Sequence, residues 1–208
     1  MKTQMILIKK IVTKKIITMK NIIAIILFTI TILSCKAQTI VNLNTFNQGN
    51  NFGKYFKDVD NHFTPFLGTW ENTTGNLTFR VILFKTTKKP MGTHYSDYIE
   101  GRYLIIENAG MPDETILHNS IKYYPQSGQT SENVIICTST NGISMNGAIE
   151  DNSVDENTIG ILPGNLKMKI INIGSTTLQA NWKVTKLKGM SIEGFEFNIP
   201  TNIILTKQ

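Results

Sequence analysis

The sequence predicts an all-β domain: an antiparallel meander closing as a barrel, or alternatively folding as a two-sheet sandwich, with a short helix at its N-terminal edge. Three observations lead there. From Phe66 onward apolar residues recur at every second position, the period of a strand with one face in a core and the other in water. Gly, Asn and Pro break these runs at short, regular intervals. No helical pattern lies between the runs, and parallel neighbours would need crossover helices, so the strands must run antiparallel.

The elements follow in order. Phe52, Tyr55, Phe56, Val59 and Phe63 fall on one stripe of a helix, with Lys54, Lys57, Asp58 and Asp60 off it. A helix this short must dock its aromatic stripe, either on one end of the barrel or as a lid over a pocket. A strand over 67–72 precedes turn chemistry at Thr73-Thr74-Gly75-Asn76. In 77–84, Leu77, Phe79, Val81 and Leu83 alternate with Thr78, Arg80, Ile82 and Phe84. Strands at 98–107 and 115–124 are set off by loops at 88–92, 108–113 and 125–131. Strands at 133–140 and 143–150 meet at Asn141-Gly142, a tight-hairpin signal. After an acidic loop at 151–157 come a brief strand at 158–162, a turn at Pro163-Gly164-Asn165 and a strand over 166–171. The segment 177–187 alternates most cleanly, with Leu178, Ala180, Trp182 and Val184 facing one way. A loop at 188–194 and a strand over 201–207 close the chain.

Ahead of the domain, Met19-Lys20-Asn21 leads into uncharged residues 22–33 and then Ser34-Cys35-Lys36. A basic start, a short apolar stretch and a small residue before the cut describe a secretory signal, with Met19 as the natural start. About 20 apolar residues are needed to span a bilayer, so this stretch is too short to span one. The divisions are thus a leader at 1–34, Cys35 with a polar tether to residue 51 (carrying a short strand at 39–43), and one domain at 52–208.

Charge agrees with this division. The chain has 21 Lys+Arg against 15 Asp+Glu, yet Lys2, Lys9, Lys10, Lys14, Lys15 and Lys20 all lie in the leader, where no acid occurs. The remainder balances at 15 against 15. A nucleic-acid partner, which the overall +6 suggests, is therefore not expected. Apolar content of 41% with 17% charge excludes a disordered polyelectrolyte.

Catalytic and metal motifs are missing from the sequence. His62, His94 and His118 share no ligand spacing, and the neighbouring acids Asp113-Glu114, Glu150-Asp151 and Asp155-Glu156 point apart rather than face each other. No nucleophile elbow or phosphate-binding loop occurs. No cofactor, metal or enzymatic activity is expected. Cys137 reads as a small buried hydrophobe. If the barrel encloses a cavity, Trp70, Phe79, Tyr103 and Trp182 are the aromatic residues expected at its ligand.

Ile32-Leu33-Ser34-Cys35 resembles the bacterial lipobox. That resemblance implies a thioether-linked diacylglycerol on Cys35, cleavage before it and acylation of the new amino group, an effectively permanent anchor. An ordinary cleavable signal ending near Ala37-Gln38 is the alternative. Tyr55-Phe56-Lys57-Asp58, Asn61, Phe66-Leu67-Gly68-Thr69-Trp70 and Gly75-Asn76 together resemble a domain-of-unknown-function family of small Bacteroidota lipoproteins, mostly flavobacterial. This implies a location in the cell envelope at the outer membrane and contributes no activity. In Bacteroidota lipoproteins acidic clusters after the cysteine often mark export to the cell surface; none follows Cys35, which implies a periplasm-facing protein. Gly68-Thr69-Trp70 is also similar to the opening strand of lipocalins, where the Trp packs across the barrel base. The expected function is a non-catalytic binding module for a small apolar ligand or an envelope protein. The alternative is a structural or inhibitor-type lipoprotein acting through loops 86–96, 108–114 and 188–198.

Overall fold

The computed structural model describes residues 20–22, 38–46, 49–124, 129–131, 133–154, 161–187 and 196–208. The chain forms two compact units, 1–39 and 40–208. Within the first, residues 20–22 are helical; the rest of the leader, Cys35, residues 158–160 and the loop 188–194 lie outside the described residues. The second unit holds every described strand and the whole hydrophobic core, so it has what a domain needs to fold by itself.

Its strands are β1 (Ile40–Asn42), β2 (Tyr55–Lys57), β3 (Gly68–Thr74), β4 (Leu77–Met91), β5 (His94–Glu107), β6 (Thr115–Asn119), β7 (Lys122–Tyr124), β8 (Gln129–Ser131), β9 (Ile135–Thr138), β10 (Ser144–Asp151), β11 (Leu162–Ile170), β12 (Gln179–Lys186) and β13 (Asn202–Lys207). Eight of them close a barrel in the order β5-β4-β3-β13-β12-β11-β10-β9 and back to β5, through antiparallel pairs throughout. The barrel expectation therefore holds over the sandwich. β5 is long enough to serve several partners along its second edge: β2 at Tyr95 and Ser96, β9 at Ile99–Gly101, and β6 at Leu104–Glu107.

Alternation puts Phe79, Val81 and Leu83 of β4, Met145 and Ile149 of β10, Leu166 and Met168 of β11, and Ala180, Trp182 and Val184 of β12 inside. Their neighbours Asn165, Lys167, Lys169, Asn181 and Lys183 face water. Apolar inside and polar outside is the inverse of a membrane-spanning barrel. The strands press closely together: a Cβ on Gly147 would overlap the Ile136 carbonyl oxygen of β9.

Four local readings need correction. The aromatic stripe of residues 52–63 is not a helix. Its middle is strand β2, followed by a 3-10 turn at Thr64–Phe66. Asp58 explains why, since its carboxylate accepts the backbone N–H groups of His62 (2.8 Å) and Phe63 (3.3 Å), a local turn that competes with a helix. Asn61 sits at φ 56°, and Phe52 and Val59 are exposed. The loop read at 88–92 is mostly strand. β4 runs to Met91 past a bulge between Thr86 and Lys89, and Pro90 is tolerated because β3 pairs β4 only up to Leu83 and leaves that edge free.

The turn read at Pro163-Gly164-Asn165 lies inside β11. Pro163 stands near the strand start, and Gly164 leaves room for the Phe197 ring, which a Cβ would meet at 2.7 Å. Asn141-Gly142 makes a wider loop than a two-residue hairpin. Asn141 Oδ1 accepts from the N–H groups of Ile143 and Ser144, both at 2.9 Å.

Within the polar segment after Cys35, Ile40–Asn42 is strand and Leu43–Thr45 a 3-10 turn. β1 pairs in parallel with β2 across residues 43–54, and Leu43 enters the core. That connection is about the dozen residues a parallel return requires.

Candidate functional site

The four aromatic residues singled out for a cavity all lie in the barrel interior, at 0–4% exposure. Phe79 brings three of them together, with its ring 5.6 Å from Tyr103 and 5.7 Å from Trp182. Their polar atoms are already engaged by protein. Trp70 Nε1 donates to the Phe66 carbonyl (2.7 Å) and Trp182 Nε1 to the Pro200 carbonyl (3.0 Å). Lys207 Nζ lies over the Trp70 ring at 5.6 Å and donates to the Pro65 carbonyl. These bonds tie the chain ends and turns to the barrel.

Tyr103 belongs to a buried polar network. Its hydroxyl donates to Asp151 (2.9 Å), and Asp151 also accepts from Ser153, Asn198 and Ile199. His118 stacks on Tyr103 and meets Asn152 Oδ1 at 3.1 Å. Among the described residues the donors around Asp151 are backbone N–H and hydroxyl groups, so hydrogen bonds hold the carboxylate.

A second polar cluster joins β2, β4 and β5. The buried carboxylates Asp58 and Asp97 flank Lys85 Nζ at 3.1 and 3.5 Å. Asp97 also accepts from the Tyr55 hydroxyl (2.5 Å) and the Lys88 N–H (3.0 Å), which holds Lys88 at φ 54° in the β4 bulge. Nearby, buried Glu100 binds Lys89, Asn133 and Thr86. The facing carboxylates are therefore Asp58 and Asp97, far apart in sequence, and no adjacent pair signals them. Their lone pairs are spent on backbone N–H groups, the Tyr55 hydroxyl and Lys85, which makes the cluster a brace for the bulge. Among the described residues no group of three or more His, Cys, Asp or Glu could hold a metal ion.

Burial raises several acid pKa values. Tyr55 is pushed up to about 12, by burial first and then by its bond to Asp97. Burial and the Asp151 charge raise Tyr103, and burial raises Tyr98. Burial pushes the Cys137 thiol up to about 12. In the unfolded chain these groups ionise near their ordinary values of 9.0 for cysteine and 10.0 for tyrosine. Above those pH values the unfolded state sheds protons that the folded state keeps, so stability falls as pH rises. Lys207, whose pKa burial lowers, acts in the opposite sense in the same range. The urea midpoint is expected to drop steadily between about pH 9 and 12, with part of the tyrosinate absorbance appearing only in the unfolding step. Complete titration of all six tyrosines near pH 10 in a folded chain would contradict it.

Open surface concavities lie outside the barrel. One, of about 430 Å³, runs between the β3–β4 hairpin and the loop carrying Met111, and the Arg80–Glu71 ion pair sits in its wall. Another, of about 390 Å³, lies on the outer wall where the residue 43–46 turn crosses β5 and β9. Leu43, Phe46 and Tyr98 give it apolar surface; Asn44, Ser96, Thr138 and Thr140 give it neutral hydrogen-bonding groups, and no charged side chain among the described residues lines it. Phe46 is backed by Phe56 and His94 at ring distances of 5.0 and 5.2 Å. His94 Nε2 is buried there without a hydrogen-bond partner among the described residues.

A family model described as a family of unknown function (DUF6705) matches residues 19–208. The chain belongs to this DUF6705 family. No curated protein and no solved structure matches it. For this DUF6705 member the groove under residues 43–46 was not visible in sequence. Tyr98, Thr138 and Thr140 read as parts of two distant strands and Ser96 as part of the loop 86–96, and only the β5–β9 pairing that closes the barrel makes them neighbours.

Proposed function

We propose that this DUF6705 protein is a lipid-anchored lipoprotein of the outer membrane, facing the periplasm, whose barrel is a non-catalytic binding module. It takes a small neutral ligand with an apolar face in the groove of Leu43, Asn44, Phe46, Ser96, Tyr98, Thr138 and Thr140. The observation that carries the binding reading is that groove: about 390 Å³, uncharged, and built on paired strands. It falls within the range of small-molecule sites. The interior residues Trp70, Phe79, Tyr103 and Trp182, by contrast, are occupied with one another and with backbone carbonyls. The leader ending in Ser34-Cys35 supports the anchor.

Two measurements test the two halves. Radiolabelled palmitate is expected in the wild-type protein and lost on Cys35→Ala; label retained in the variant overturns the anchor. The neutral fluorophore N-phenyl-1-naphthylamine is expected to bind the wild-type barrel, to bind at least about tenfold more weakly to Phe46→Ala/Tyr98→Ala, and to bind Trp182→Phe unchanged. The reverse order of effects places the ligand inside the barrel.

A further inference from the structure

The outer faces of β10, β11 and β12 form a shallow concavity of about 770 Å³, lined by Asn146, Ala148, Asn165, Lys167, Lys183 and Thr185. Register sets Lys167 directly opposite Lys183, with Asn146 on its other side. Neighbouring strands lie about 4.8 Å apart, and Lys169 stands two residues along β11, opposite Asn181. Like charges facing each other across strands destabilise a sheet. The three lysines have no ion pair or hydrogen bond among the described residues, and segments 144–148, 165–169 and 179–185 contain no carboxylate. Acids gather instead at the loop after β5, where Glu107, Asp113 and Glu114 bond to Asn76, Asn108 and the Gly110 N–H. A domain with balanced charge overall thus carries a concavity whose charged lining is Lys167 and Lys183 among amide and hydroxyl groups, with Glu150 beyond its edge on β10.

We infer that this face docks on an anionic phospholipid surface, with Lys167, Lys169 and Lys183 against the phosphate groups and the neighbouring Asn and Thr side chains bonding the remaining acceptor oxygens. The choice of partner rests on the proposed acylation of Cys35. Cys35 is five residues before Ile40, where the compact unit begins. An extended chain gains at most about 3.6 Å per residue, so Ile40 of an acylated chain stays within about 18 Å of its anchor and the barrel is held beside the bilayer. The basic concavity is the face whose charge matches.

The fragment 38–208 holds the complete barrel and lacks both Cys35 and the leader, so it separates docking from acylation; the palmitate experiment judges the anchor alone. The fragment is expected to co-float with vesicles of phosphatidylcholine containing one-third phosphatidylglycerol at low ionic strength, and not with phosphatidylcholine alone. At about fivefold per charge, Lys167→Gln/Lys183→Gln weakens partitioning about 25-fold. Its thermal midpoint holds or rises, since a like-charge pair is relieved. Lys54→Gln/Lys57→Gln, around β2, leaves flotation unchanged. Absence of flotation, or equal loss in both double variants, overturns the inference. So does displacement by inorganic phosphate beyond that of chloride at matched ionic strength, which would mark a site for small anions instead.

Discussion

Trp182→Ala is expected to cost about 3–5 kcal/mol, the usual range for removing a fully buried aromatic ring. The ring is inaccessible to solvent, meets Phe79 edge-on at 5.7 Å, and ties β12 to Pro200 just before β13. It sits on two of the eight pairings that close the barrel, since β12 bonds to both β11 and β13. A domain of this size has about 5–15 kcal/mol in total, so the variant is expected to unfold at a much lower urea concentration. Trp182→Phe keeps most of the volume and leaves the Pro200 carbonyl unpaired, a smaller cost of about 1–3 kcal/mol. Equilibrium urea unfolding checks both. A loss below about 1 kcal/mol for the alanine variant would mean the ring does not hold the barrel together.

Lys85→Met is the second large effect. It leaves Asp58 and Asp97, two buried carboxylates, facing each other without their shared cation. Breaking a buried pair from one side costs about 3–5 kcal/mol. Lys85 keeps some contact with water, which places the expectation near about 3 kcal/mol. The decisive comparison is a double-mutant cycle. Asp58→Asn in the Lys85→Met background should recover part of the loss, because it removes one of the two stranded charges. Simple additivity of the two substitutions would show that Lys85 does not act through these carboxylates. Because Asp97 also fixes the Lys88 N–H and Tyr55, the same variants should loosen the β4 bulge, seen as faster amide exchange at Lys88.

The strands were legible because their signal is local. In β12 every second side chain is buried, and the sequence carries that period without interruption. What escaped were features decided by distant partners. The stripe at 52–63 satisfies helical spacing, yet Tyr55 and Phe56 are adjacent and both buried, Tyr55 toward Asp97 and Phe56 into the core. Those opposite directions are the two faces of a strand, and β1 and β5 pair with it on either side. Pro163-Gly164 reads as a turn until Phe197 is known to need the space. The aromatic residues chosen as ligand contacts lie in the interior, where Phe79 packs on Tyr103 and Trp182 and backbone carbonyls accept from both indoles. The groove residues carried no signal, since Thr138 and Thr140 are ordinary strand-end hydroxyls until β9 closes on β5.

Where a small neutral ligand sits in this protein is therefore the question on which the account turns. Nuclear Overhauser contacts from bound N-phenyl-1-naphthylamine to ring protons answer it directly. The account predicts contacts to Phe46 and Tyr98 on the outer wall. Contacts to Trp70, Phe79, Tyr103 and Trp182 instead would contradict it and return the site to the barrel interior.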